Sequence, residues 1–161
     1  MTLIYQTDSF IVESHDKPFV SREEGGHLRI SIKDKSIIDR TMLSPKVAIE
    51  LIRLTMIIGK ALEKAMTIRD VPIIKVNYQD MGNWAFKKQE KPFLHVHILG
   101  RSKDAKIQVF PESVQLPDRS TGFYENFKPL NKEDILEIKR QIAQIIKEKK
   151  YDPLFWELNR I

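Results

Sequence analysis

Residues 91–101 read KPFLHVHILGR, an apolar run in which His95 and His97 stand one residue apart. Side chains in a strand alternate between faces, so Leu94, Val96 and Ile98 point one way and Phe93, His95 and His97 the other. The first set requires an apolar layer above it. The second places two imidazoles side by side, positioned to act on one ligand.

Working outward, GGHLRISIK (25–33) alternates His27, Arg29 and Ser31 against Leu28, Ile30 and Ile32. It reads as a strand with its even-numbered residues facing a core. SFIVES (9–14), VPIIKVNYQ (71–79) and AKIQVF (105–110) complete an expected set of about five strands, while KPFVSREEGG (17–26) and DMGNWAFKKQE (80–90) read as loops. The clearest helix begins with Ser44 as N-cap and Pro45 at the first helical position and runs to Met66. Val47, Leu51, Leu54, Ile58, Ala61 and Leu62 follow one helical face, and Ile49, Ile52, Met56 and Ile57 widen it. Such a surface needs cover on two sides, from a sheet on one and from a second helix or a partner subunit on the other.

Residues 111–130 hold Pro111, Pro117, Gly122 and Pro129 and are expected to be irregular, which in a compact domain often marks a functional or interface loop. A second helix is expected from about Asn131 to about Lys149, with Ile135, Ile138, Ile142, Ile145 and Lys149 on one stripe. Phe155 and Trp156 in the tail are expected to dock. The order of elements predicts an α+β fold: an antiparallel sheet, one long central helix and a C-terminal helix. We expect a single domain over 1–161, with its core in 9–110 and an extension over 111–161.

The chain has 161 residues, 42% hydrophobic and 30% charged, within the range of globular domains. With no cysteine, it has no disulfide, thiolate metal ligand or cysteine nucleophile. A net charge of +5 favours anionic partners, although clusters such as KEKK (147–150) are equally suited to solubility. The chain shows no leader-like start, no sustained apolar span and no nucleic-acid motif. The expectation is a cytoplasmic protein with neither membrane nor nucleic-acid partners.

Three readings of the histidine face are open on spacing alone. The imidazoles are solvated filler, or two ligands of a metal site, or a catalytic pair in which one attacks and the other steadies charge. Zinc would need at least one further ligand, and the neighbouring segment offers no cysteine and no well-spaced carboxylate.

Wider context narrows the choice. QEKPFLHVHILGR, with GGHLRISIK upstream, LSPKVAIELIRL opening the helix and Val76-Asn77 in the strand before, resembles the histidine triad superfamily of nucleotide hydrolases and transferases. The signature of that family is a His-apolar-His-apolar-His strand, with a glutamine four residues before the first histidine and an arginine after the last. Gln89, Pro92, His95, Val96, His97, Ile98 and Arg101 occupy matching positions, and the landmarks agree in order from about Ser9 to Arg101. Phe93 stands where the first histidine would be, and Glu90 where many members carry a small hydroxyl residue that contacts phosphate.

The resemblance implies attack by His95 on the α-phosphorus of a dinucleoside polyphosphate or nucleoside phosphoramidate, through a nucleotidyl-histidine intermediate. His97 would donate to a phosphate oxygen and Gln89 to the leaving or bridging side. His27, Asp16 and Asn77 would contact the nucleotide. No cofactor or metal is required, and a homodimer is expected. The alternative is a non-catalytic nucleotide-binding or regulatory protein, with Phe93 and Glu90 marking lost activity. For such chemistry, a neutral imidazole hydrogen-bonded to a backbone carbonyl through one nitrogen would aim the other lone pair at the ligand.

Overall fold

A computed structural model describes residues 1–156. Five strands, β1 (Thr2–Gln6), β2 (Phe10–Ser14), β3 (His27–Ile32), β4 (Ile73–Gln79) and β5 (His95–Ser102), form one antiparallel sheet in the order β1-β2-β3-β5-β4. The helices are α1 (Pro45–Ile68), the single turn α2 (Trp84–Lys87) and α3 (Lys132–Ile145). The expected α+β class, antiparallel sheet, long helix and C-terminal helix are all present.

Membership of the sheet differs from expectation at one strand. AKIQVF does not extend the sheet, because its backbone is taken up elsewhere: the buried Glu24 carboxylate accepts from the amides of Lys106, Ile107 and Gln108 at 2.7, 2.7 and 2.9 Å. The fifth strand is instead β1, paired with β2 and contributing Ile4 to the core.

Capping explains where the helices begin. The Ser44 side chain accepts from Val47 N–H, with Pro45 at the first turn, where the missing proline donor is not needed. Asn131 and Asp134 form a reciprocal capping box at the start of α3. Asp134 also accepts from Arg22 at 2.9 and 3.0 Å and from Arg69 at 3.3 Å, which ties α3 to the loop before β3 and to the end of α1.

One apolar core lies between the sheet and the helices. Leu28, Ile30, Leu94, Val96 and Ile98 meet Leu51, Leu54, Ile58 and Leu62 of α1, and α3 packs its Ile135, Ile138, Ile142 and Ile145 against the same cluster. The second helix therefore covers much of the second side of α1, while Ile52 is left 50% exposed. Lys149 lies beyond α3, and of the two tail aromatics only Trp156 docks, its indole N–H donating to Lys150 O; Phe155 is 60% exposed. The remaining tail, 157–161, lies outside the described residues.

A second, smaller cluster covers part of the opposite sheet face: Phe19, Val20 and Leu99 with Tyr124 and Phe127 from the 111–130 segment. That segment is irregular, with one 3-10 turn at Arg119–Thr121. It shields the Leu99 end of β5 and leaves the His95 end open. Close approach at the shielded end depends on glycine: a Cβ on Gly25 or Gly100 would sit 2.3 Å from the other's carbonyl oxygen, and Gly25 has φ +135°. No helix among the described residues is long and apolar enough to cross a membrane.

Candidate active site

Alternation in β5 delivers His95 and His97 to the same face, with ring centroids 4.8 Å apart and planes at 85°. Both line one cavity of about 400 Å³, within the range of small-molecule sites. Phe19 and His15 come from the segment after β2, Arg29 from β3, Trp84 from α2 and Arg119 from the 111–130 segment.

Hydrogen bonding fixes the tautomers. His95 Nδ1 lies 2.9 Å from the Phe93 carbonyl, which can only accept, so Nδ1 carries the proton. Burial lowers the pKa of His95, outweighing the opposing hydrogen bond to Phe93, and the ring is neutral at pH 7. Its Nε2 therefore holds a lone pair.

A chain of contacts sets His97 the other way. Phe19 N–H donates to His27 Nδ1 at 3.1 Å, so the proton of neutral His27 is on Nε2. That N–H faces His97 Nδ1 at 2.8 Å, which must accept, and His97 in turn carries its proton on Nε2. Burial, with nearby His95 and His15, pushes the pKa of His97 down to about 2. His27 is also held well below the ordinary value, mainly by burial. His15 is stacked on His27 at 4.6 Å, accepts from Lys17 N–H through Nδ1, and is lowered to about 4 by burial and then by Arg29 and Arg119.

The site thus presents one imidazole lone pair, on His95, beside imidazole N–H donors on His97 and His15. Cations surround them: Lys17, Arg29, Lys88, Lys91 and Arg119 line the cavity, against a single carboxylate, Glu90. Arg29 is paired with Glu13 at 3.3 Å. The arrangement suits attack on an electrophile embedded in negative charge.

The other residues singled out from sequence lie at varied distances from this centre. His27 is buried behind His97 and does not reach the cavity wall. Gln89 is exposed, with φ +56°, and does not line the cavity. Asp16 is exposed and pairs with the amino group of Met1. Asn77 accepts from Arg101 Nη1 at 2.9 Å, and the same guanidinium binds the carbonyls of Gln108, Val109 and Glu112. Trp84 lines the cavity edge-on to Phe19 at 5.5 Å, while Phe86 is 71% exposed. His15, Phe19, Arg29 and Arg119 enter the site without having stood out in sequence. The one available signal was Asp16, the neighbour of His15, which the resemblance placed against the nucleotide. Among the described residues no group of three or more histidine, aspartate or glutamate side chains is disposed to hold a metal ion.

This architecture, an open antiparallel sheet with a long helix across one face, is shared with solved histidine triad proteins. The structure is similar to a histidine triad protein from Sinorhizobium meliloti, with TM-score 0.62, 17% identity, and 89% of this chain and 87% of that chain covered. It is also similar to a hypothetical histidine triad nucleotide-binding protein from Sulfolobus tokodaii, with TM-score 0.58, 16% identity, and coverage of 93% and 88%. A zinc-bound histidine triad family protein from Mycobacterium smegmatis gives TM-score 0.57, 19% identity, and coverage of 89% and 84%. The chain has the histidine triad fold. By sequence it matches no family model and no curated protein.

Proposed function

We propose that this protein belongs to the histidine triad superfamily and acts as a nucleotide hydrolase or nucleotidyl transferase on dinucleoside polyphosphates or nucleoside phosphoramidates. The observation that carries this reading is the tautomer at His95, a neutral imidazole with its Nε2 lone pair uncommitted in a cavity lined by five cations and one carboxylate. Attack by that lone pair on the α-phosphorus forms a P–N bond as the bond to the leaving group breaks, the polyphosphate departing as an anion and the phosphoramidate nitrogen, protonated from solvent, departing as the neutral amine. Water then cleaves the P–N bond, releasing the nucleoside monophosphate and a proton and regenerating the neutral ring. His97 Nε2–H donates to the phosphoryl oxygen on which charge accumulates. The His27–His97 contact holds that donor in place. In this reading Gln89, Asp16 and Asn77 are substrate-side residues: the first two reach the ligand when the 80–90 loop and the Asp16 turn close over it, and Asn77 by exchanging its bond to Arg101 for one to the ligand.

The test is direct. The protein is incubated with diadenosine polyphosphates and with adenosine 5′-phosphoramidate, quenched in base, and examined by mass spectrometry for nucleotide on His95. An adduct and product are expected; His95→Ala abolishes both, and His97→Ala slows turnover by ~10²-fold or more. Near-normal hydrolysis by His95→Ala would remove the nucleophile assignment. The presence of Glu90 in the cavity wall favours a second reading, nucleotide binding without catalysis. Saturable binding with neither product nor adduct would select it.

A further inference from the structure

We propose that Arg119 is a specificity-determining residue that binds the β-phosphate of the leaving group, so that the site prefers substrates with a polyphosphate chain over those with a neutral amine. The inference rests on the function proposed above.

Arg119 is half-buried in the cavity wall, and no carboxylate pairs with it among the described residues. Its guanidinium donates one hydrogen bond, to Lys17 O at 2.7 Å, and its carbon lies 4.9 Å from the centre of Phe19, 4.8 Å from Tyr124 and 5.7 Å from Trp84. Aromatic faces of this kind hold a planar cation while leaving its edge donors for a ligand. Phe19 links Arg119 to the chemistry, since its ring also lies 5.2 Å from that of His97. The guanidinium and His97 are therefore no further apart than those two contacts allow, within reach of a two- or three-phosphate chain.

The segment that delivers Arg119 is firmly anchored. Glu24 holds the amides of 106–108; Gln108, 1% exposed, bonds Phe19 O and Gln115 O; and Arg101 clasps three carbonyls between 108 and 112. Tyr124 donates to Pro117 O at 3.0 Å, and Asp118 pairs with Lys87 Nζ at 2.5 Å, joining the segment to the turn that bears Trp84. An unpaired cation, so anchored in the wall of the cavity that His95 lines, is placed for charge that builds on the departing phosphate as the bond from the α-phosphorus to the bridging oxygen breaks.

Two measurements on wild type, Arg119→Ala and Arg119→Lys test this. Calorimetry compares adenosine 5′-(α,β-methylene)diphosphate with adenosine monophosphate, and steady-state kinetics compares diadenosine tetraphosphate with adenosine 5′-phosphoramidate. We expect tighter binding of the diphosphate by wild type and loss of that gap in Arg119→Ala. The ratio of kcat/KM for tetraphosphate over phosphoramidate should fall by ~10²-fold, with Arg119→Lys between the two. An unchanged ratio, or equal loss for both substrates, overturns the assignment while leaving the proposed function intact. Failure of wild type to bind either nucleotide overturns both, and circular dichroism of the variants separates these results from misfolding.

Discussion

Acidification from pH 7 to pH 5 should destabilise this fold through its buried imidazoles. A histidine whose pKa is depressed in the folded chain binds its proton first in the unfolded one. Stability is therefore fully present above the unfolded value of about 6.5 and is lost as pH falls from there toward the folded value. For His97 the window runs from 6.5 down to about 2, and for His15 from 6.5 to about 4; His27 is displaced in the same direction. The carboxylates Asp34, Asp39, Glu23 and Asp134 are held below their ordinary values, so their contribution is lost only at lower pH. Between pH 6.5 and 4.5 the histidines alone set the slope. Each strongly depressed imidazole removes about 1.4 kcal/mol per pH unit below 6.5, or about 2 kcal/mol between pH 7 and pH 5. His97 alone thus costs about 2 kcal/mol, a sizeable part of the stability of an ordinary domain, and His27 and His15 add to the loss in the same direction. Urea unfolding followed by tryptophan fluorescence at pH 7, 6 and 5 measures the drop. In His97→Asn, which cannot titrate there, it should shrink by about 2 kcal/mol. Stability that is flat or rises on acidification would refute the assignment of buried neutral rings.

Two further outcomes are expected. Glu24→Gln weakens a cradle of three amide donors by roughly 2 kcal/mol, so hydrogen exchange at Lys106, Ile107 and Gln108 should accelerate about thirtyfold; unchanged protection would show that Arg101 and Gln108 hold the segment alone. The expected homodimer finds support in β4, an edge strand whose Ile74 and Tyr78 are 49% and 48% exposed. Light scattering should give twice the chain mass for wild type and a shift toward monomer for Ile74→Asp, whereas a monomeric wild type at micromolar concentration would count against it.

What the sequence revealed was what local patterns control. The Ser44-Pro45 start and the stripes of α1 and α3 follow from capping and a 3.6-residue period, and β5 from strict alternation. β1 escaped because a short strand with Ile4 as its one buried side chain carries little pattern. AKIQVF misled because its β-branched and aromatic residues match a strand, while the partner of its amides, Glu24, lies some eighty residues away. The same distance problem hid half the site. His95 and His97 are neighbours in sequence, but Phe19, Arg29 and Arg119 converge on them only through the fold. His15 has no distinguishing sequence context, and stacking on His27 in the folded chain gives it a place in the cavity wall.

Phe93 bears most directly on whether such a site can react. What position 93 gives to His95 in this structure is its main-chain carbonyl, and a carbonyl is indifferent to the side chain it precedes. The tautomer that the proposed attack needs thus does not depend on a histidine side chain at position 93. The donor opposite, His97, takes its orientation from His27 and ultimately from the backbone amide of Phe19, again without any contribution from side chain 93. Phe93 instead packs its ring 5.1 Å from His95 and carries Lys35 Nζ 3.8 Å above its centre. Phe93 thus forms part of the wall beside His95, and burial lowers the proton affinity of His95 so that it remains in the neutral form the proposed attack requires. Arg29 and Arg119, cations that would attract an anionic ligand, also disfavour protonation of the imidazoles, so in the proposed reaction ligand recruitment and activation of His95 would draw on the same charges.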